Sequence, residues 1–216
     1  MSADWIRADW PAPSNIIAGT TLRDSKFELP AKPQWLNQVH GSRVVRAGSS
    51  DFDDGKPDAD AVIANHGGDI CVVRTADCLP VLFCSSDGTE IAAAHAGWRG
   101  LASGIIETTI AAMSSLPGDL IAWFGPAISQ GAFEVGSEVR DAFLVSDSIA
   151  AGCFVPNERG RWQADLYGLA RQRLQKVGVG AVFGGDLCTV TGEERFFSYR
   201  RDGETGRLLS FVYRQD

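Results

Sequence analysis

Three apolar runs, Ile70–Val73, Val81–Cys84 and Ile91–Ala94, crowd one short region of the chain. Each is far shorter than the roughly 18 residues of a membrane span and suits a buried strand. Upstream, the pattern predicts a strand near 15–20 and a strand–turn–strand in which Trp35–Val39 and Val44–Val45 flank His40-Gly41. Residues 48–60 are acidic and turn-rich and read as a surface loop, followed by a strand at Ala61–Ala64 and a turn at 65–68. Downstream, Leu101, Ile105, Ile106, Ile110 and Met113 recur at helical spacing and predict one helix over 99–113. Leu120–Phe124 reads as a strand stopped by Gly125-Pro126, and 137–144 as a helix with Ser137 as its N-cap. Asp165 should cap a further helix carrying Leu166, Leu169, Ala170, Leu174 and Val177 inward, ended by Gly178. The tail FFSYRRDGETGRLLSFVYR predicts two strands joined by a turn at Asp202-Gly203. Strands alternating with helices, with no repeat or linker, predict a single α/β or α+β domain over residues 1–216.

Composition narrows the function classes. At 216 residues, with 44% hydrophobic and 22% charged residues, the chain can build a core of its own. A net charge of −7 argues against binding nucleic acid or an anionic membrane surface. Sixteen of the twenty basic residues are arginine, which suits forked capture of a small phosphate or carboxylate. The start lacks a basic segment followed by an apolar one, so no secretory signal is read and a cytoplasmic location is expected. Five cysteines, an odd number, agree with reduced thiols rather than a disulfide framework.

The chemistry concentrates at strand ends. Of three histidines, His40 and His95 each close an apolar run and are followed closely by glycine, at 41 and 97, whose bare backbone leaves room for a ligand. Cys78 sits with Asp77 between the first and second apolar runs of the central stretch. Two imidazoles and one thiolate with an open fourth position is a common form of catalytic zinc site. The separations, 78 − 40 = 38 and 95 − 78 = 17 residues, are not a motif in themselves. Two other readings therefore stay open: Cys78 as a nucleophile activated by His95, and a pair of hydrogen-bonded histidines beside a small buried thiol. Asp77 is not an obvious orienter of His95, because neighbours on a strand face opposite ways. Cys71, Cys84, Cys153 and Cys188 sit among apolar residues and read as core, and His66 as a solvated turn residue. Gly97-Trp98-Arg99-Gly100 should open a helix whose free N–H groups, with Arg99, make an anion site. Arg200 and Arg201 form a second basic cluster.

NQVHGSRVV, DADAVIAN, RTADCLPVLF, AAAHAGWRGLASGI, FGPAI followed by FEVG, and FFSYRRD with TGR resemble the bacterial laccase-domain family. Its members are also called multicopper polyphenol oxidoreductase-like proteins and purine nucleoside phosphorylases. The resemblance runs from about Trp35 to the C-terminus. It implies a four-layer α/β/β/α sandwich with mixed sheets and one metal, zinc or else copper, on His40, Cys78 and His95. It also implies phosphorolysis of adenosine, inosine, guanosine and methylthioadenosine, with adenosine deamination. Cys78, His95 and His40 are then the catalytic candidates, and Asp77, Arg99, Arg200 and Arg201 the candidates for substrate and phosphate contacts. Alternatives attached to the same residues are a Cys–His amidase of cell-wall precursors, a weak single-copper oxidase and a metal-binding protein without catalysis. Three histidines cannot furnish the imidazole-rich set of a true multicopper laccase. The chain also lacks the glycine-rich GGVS and Asn-Leu-Gly stretches that many relatives carry before QVHG, and it has AFEV where a cysteine and tyrosine often precede Glu-Val.

Overall fold

In a computed structural model, which describes residues 4–215, two sheets pack face to face and helices cover the larger one. The large sheet runs, edge to edge, Ala181–Gly184, Leu120–Phe124, Leu79–Ser85, Ile91–Ala96, Ala61–Ala64 and Val44–Arg46. Its two edge pairs are parallel and its central pairs antiparallel, so the sheet is mixed. The small sheet is antiparallel throughout, in the order Trp5–Arg7, Ile16–Thr21, Leu208–Arg214 and Ile70–Thr75. A three-stranded ribbon of Phe154–Pro156, Trp162–Ala164 and Glu134–Val135 stands apart.

Side-chain alternation distributes the apolar residues between two cores. Leu79, Val81 and Phe83 face the helices, together with Leu101, Ile105, Ile106 and Leu174. Leu82, Cys84, Ile91 and Ala93 face the other way, onto Cys71, Val73 and Val212 of the small sheet. Both faces are dry, which is why these strands read as continuous apolar runs rather than as alternation. Phe83 is wholly buried, and its truncation to alanine should cost about 3–5 kcal/mol. The outer face of the small sheet is covered by Phe27, Leu29 and Trp35 from an irregular segment, so that outer layer is not helical.

Several sequence expectations need correction. The helix over 99–113 is two helices, Trp98–Ala102 and Ile105–Ala112, because Gly104 adopts a left-handed φ of 92° that redirects the chain. Residues 35–39 form no strand; Asn37 makes only an isolated bridge to Asp58. Gly136, not Ser137, is the N-cap of Ser137–Leu144. The first half of the tail is the short helix Tyr199–Asp202, and only Leu208–Arg214 is a strand. Asp165 does cap Leu166–Lys176, accepting from the Gly168 N–H at 2.9 Å. The strands predicted near 15–20 and at 61–64, 70–73, 81–84, 91–94 and 120–124 are present as Ile16–Thr21, Ala61–Ala64, Ile70–Thr75, Leu79–Ser85, Ile91–Ala96 and Leu120–Phe124.

One connection positions the site. The chain leaves the small sheet at Thr75 and enters the large sheet at Leu79. The crossover Ala76-Asp77-Cys78 therefore lies at the end of the sandwich where the two sheets meet, and Asp77 turns it with a φ of 84°.

Candidate metal centre

His40, Cys78 and His95 come together from three separate parts of the chain. One ligand atom from each lies within 4.8 Å of the others, and Cys78 Sγ is 3.9 Å from His40 Nε2. Zinc–nitrogen and zinc–sulfur bonds of about 2.0–2.3 Å set tetrahedral ligands roughly 3.3–3.6 Å apart, close to this spacing. The two imidazole rings meet edge to face at 4.8 Å.

Asp60, which sequence reasoning missed, orders the trio. Its carboxylate is fully buried and accepts from His95 Nδ1 at 2.8 Å, the His40 N–H at 2.9 Å and the Gly41 N–H at 2.7 Å. Its backbone carbonyl accepts from the His95 N–H at 2.7 Å. The bond to Nδ1 leaves His95 Nε2 to face the site, the arrangement that orients metal-bound histidines. The backbone bonds hold His40 at a left-handed φ of 61°, a costly conformation for a residue with a Cβ. The signal for Asp60 was present in DADA: an acid set between alanines at the mouth of a buried strand.

Gly97 completes the cradle. A Cβ there would stand 3.0 Å from His40 Cδ2, 3.1 Å from Cys78 Sγ and 3.5 Å from His95 Nε2. The bare backbone thus leaves space against the Cys78 and His95 donor atoms and the edge of the His40 ring. The donor set, its spacing and this space fit a single zinc or copper ion.

The electrostatics couple Cys78, His95 and Asp60 as a thiolate–imidazolium–carboxylate set, from which a metal ion would have to displace the His95 proton. Burial opposes ionisation of Cys78, yet contacts with His40 and His95 and their charge bring the thiol down to about 6. Burial likewise opposes protonation of His95, but its bond to Asp60 and the neighbouring thiolate lift it to about 9. Burial also works against charge on Asp60, and the hydrogen bonds it accepts, first that from His95, outweigh this and hold it below the usual carboxylate range.

A cavity of about 1000 Å³ opens onto this centre. Ile128, Phe133 and Leu166 give it an apolar wall, and Arg74, Arg99, Arg200 and Arg207 line it with positive charge. Arg99 stacks 4.5 Å from the Trp98 ring. It belongs to a helix of only five residues, so the expected helix-end anion site has little dipole behind it. The backbone N–H of Arg200 donates to Asp77, and its guanidinium donates to the Glu134 carbonyl at 3.1 Å. Asp77 lines the cavity, but its carboxylate is taken up by Thr189 Oγ1 at 2.5 Å and that Arg200 N–H at 2.6 Å, which makes it a brace. Arg201 does not line the cavity. Its guanidinium turns away onto the carbonyls of Thr189, Val190 and Phe196 and pairs with Asp202, because the tail is helical where a strand was expected. Arg74 and Arg207 were missed for lack of a local motif.

The profile described as multi-copper polyphenol oxidoreductase laccase matches residues 12–215. The chain belongs to this family. Its match begins well before Trp35, so the altered N-terminal region is part of the family domain. Among relatives, the purine nucleoside phosphorylase YfiH of Escherichia coli is 52% identical over 185 residues, covering 86% of this chain and 75% of that protein. The purine nucleoside phosphorylase PA4543 of Pseudomonas aeruginosa is 44% identical over 244 aligned positions, covering 98% and 99%. Those positions exceed the 216 residues of this chain by 244 − 216 = 28, so this family member is shortened relative to that one. A crystal structure of a Neisseria meningitidis protein superposes with a TM-score of 0.92 at 43% identity, covering 99% of this chain and all of that one. The mixed α/β fold expected of the family is therefore the observed one.

Proposed function

We propose that this protein is a metal-dependent purine nucleoside phosphorylase acting on adenosine, inosine, guanosine and methylthioadenosine, with adenosine deamination at the same centre. The carrying observation is the convergence of His40, Cys78 and His95 on the wall of an arginine-lined cavity. The printed names of its relatives support the reading. In phosphorolysis a phosphate oxygen forms a bond to the ribosyl C1′ as the C1′–N bond breaks, and the purine leaves with that electron pair. Ile128, Phe133 and Leu166 would receive the apolar faces of the nucleoside, and the cavity arginines would neutralise the phosphate. Asp60 holds both histidines in the ligating orientation, and Cys78 is already a thiolate near neutral pH. His40, Cys78 and His95 would hold a zinc ion, which would supply Lewis-acid chemistry when bound. Copper suits the same donors less specifically.

Cytoplasmic location is part of the proposal. Five free cysteines fit a reducing compartment, and among the described residues no helix is long and apolar enough to cross a membrane. A net charge of −7 disfavours nucleic acid as a partner, leaving small-molecule substrates.

The deciding experiment measures phosphate-dependent release of base from adenosine and inosine by zinc-loaded and chelated protein, beside Cys78→Ala. Turnover should require metal and vanish in the variant. Undiminished turnover by Cys78→Ala would sink the proposal. One observation favours a second reading: Cys78, His95 and Asp60 form a thiolate–imidazole–carboxylate chain, the arrangement of a Cys–His hydrolase or amidase. That reading requires activity that survives chelation and is lost on alkylation of Cys78.

A further inference from the structure

The cavity carries more positive charge than its own carboxylates can balance. Four arginines line it against two acids, Asp77 and Glu204, in a chain whose net charge is −7. Asp77 is occupied by Thr189 and the Arg200 backbone. Glu204 makes no ion pair within 4.0 Å among the described residues.

The four arginines differ in what holds them. Arg200 spends its guanidinium on the carbonyls of Ala132 and Glu134, over the Phe133 ring. Arg99 lies on Trp98, across the centre from the small sheet. Arg74 belongs to the small-sheet strand Ile70–Thr75, and Arg207 immediately precedes the strand Leu208–Arg214. Leu208 pairs with Thr75 and Leu209 with Arg74. Extending that register by one residue sets Arg207 diagonal to Arg74 on the same face, with backbone positions roughly 7–8 Å apart. Arg74 makes no side-chain hydrogen bond or ion pair among the described residues. It stacks 5.6 Å from the Trp35 ring, which fixes its plane without using its donors. Arg207 uses one nitrogen, Nη1, on the Thr205 and Gly206 carbonyls, and its remaining donors are uncommitted. Two like charges side by side repel unless something negative lies between them.

We propose that Arg74 and Arg207 form the phosphate subsite of this cavity, whose lining also holds the apolar Ile128, Phe133 and Leu166 and the His40–Cys78–His95 centre. Two guanidinium forks match the oxygens of one phosphate group, and the separation matches a group that each can reach from its own side. Inorganic phosphate and the sugar 1-phosphate released by phosphorolysis share that group and would share the subsite. The assignment rests on the phosphorylase reading for its substrates, but phosphate binding can be measured apart from turnover.

Arg74→Ala and Arg207→Ala, with Arg74→Lys, test it on zinc-loaded protein. The expected result is a KM for phosphate raised at least tenfold in each alanine variant, with the KM for adenosine within about twofold of the parent. Lysine at 74 keeps the charge but loses fork and stacking, so it should not restore the parent value. Titration of inorganic phosphate and of ribose 1-phosphate, followed by ³¹P line broadening at constant ionic strength, provides the second readout. Weakened binding of both ligands in both alanine variants supports the shared subsite. Loss of the sugar phosphate alone would overturn a site for inorganic phosphate. Unchanged phosphate binding and KM in both variants, or a phosphate KM that responds only to Arg99→Ala, would overturn the assignment altogether. If the parent shows no phosphorolysis yet binds phosphate through these two arginines, the reaction is wrong and the subsite stands.

Discussion

Replacing Gly97 by alanine adds one methyl group at the point where the metal reading is most exposed. The backbone there, with φ −61° and ψ 157°, is open to any L-residue, so no conformational strain is introduced. The new Cβ would lie 3.0–3.5 Å from an atom of each of the three ligands. An ion held at about 2.0–2.3 Å by Cys78 Sγ, His95 Nε2 and a ring nitrogen of His40 would lie beside that methyl group and compete with it for space. The methyl group therefore disfavours the ion. His40 is exposed and its ring can swing aside to accept the methyl group, but the swing itself gives up one of three donors. Loss of a ligand from a site worth about 10 kcal/mol or more should weaken zinc by several orders of magnitude. Stability of the metal-free chain should barely change. Alanine is a poorer N-cap than glycine by up to about 1 kcal/mol, and its lower unfolded-state entropy returns about 0.4–1 kcal/mol. For a chain of this size, 1 kcal/mol corresponds to about 2–4 °C in Tm. Competition against a chromophoric chelator gives the affinity, and calorimetry of metal-free protein gives Tm. A variant that keeps parent-like zinc affinity with an unchanged Tm would refute placement of the ion between His40, Cys78 and His95.

Asp60→Asn should lower metal affinity about 10–100-fold, since the amide loses charge and puts an N–H₂ where one oxygen accepted, either from His95 and His40 or from Gly41; chelator competition measures it. Glu90 provides a pH test away from the metal. Burial opposes its charge, but the N–H groups of Ser114 and Ser115 and the Ser115 hydroxyl outweigh burial and hold its carboxyl below the ordinary 4.5. A depressed carboxylate contributes stability that is present above 4.5 and is lost as pH falls through the folded value. Thermal melts from pH 7 to 3 should show Glu90→Gln less stable at pH 7, by about 1–3 kcal/mol, and less sensitive to acid below pH 5. Parallel pH profiles would contradict the assignment.

The sequence by itself pointed to the strands of both sheets that carry the site, to the Asp165 cap and to His40, Cys78 and His95 as candidates. These are signals a chain carries locally. An apolar run too short to span a membrane makes a buried strand, an acid before an apolar helix caps it, and a histidine at a strand end followed by glycine has an open side. What the sequence left undecided depends on which strand ends meet. Asp60 lies 35 residues from His95, and Asp77 lies 123 from the Arg200 N–H it accepts. No periodicity reports such distances, because period two tells which face a residue takes and not what stands opposite. The same gap explains the arginines. Arg201 looked equivalent to Arg200 in sequence, but a single helical turn at Tyr199–Asp202 points it at the carbonyls of 189, 190 and 196. Arg74 and Arg207 looked unrelated until the register of Ile70–Thr75 against Leu208–Arg214 brought them to the same end of that strand pair. Tertiary structure alone decided these pairings, because hydrogen-bond register and crossover geometry are properties of the assembled sheets.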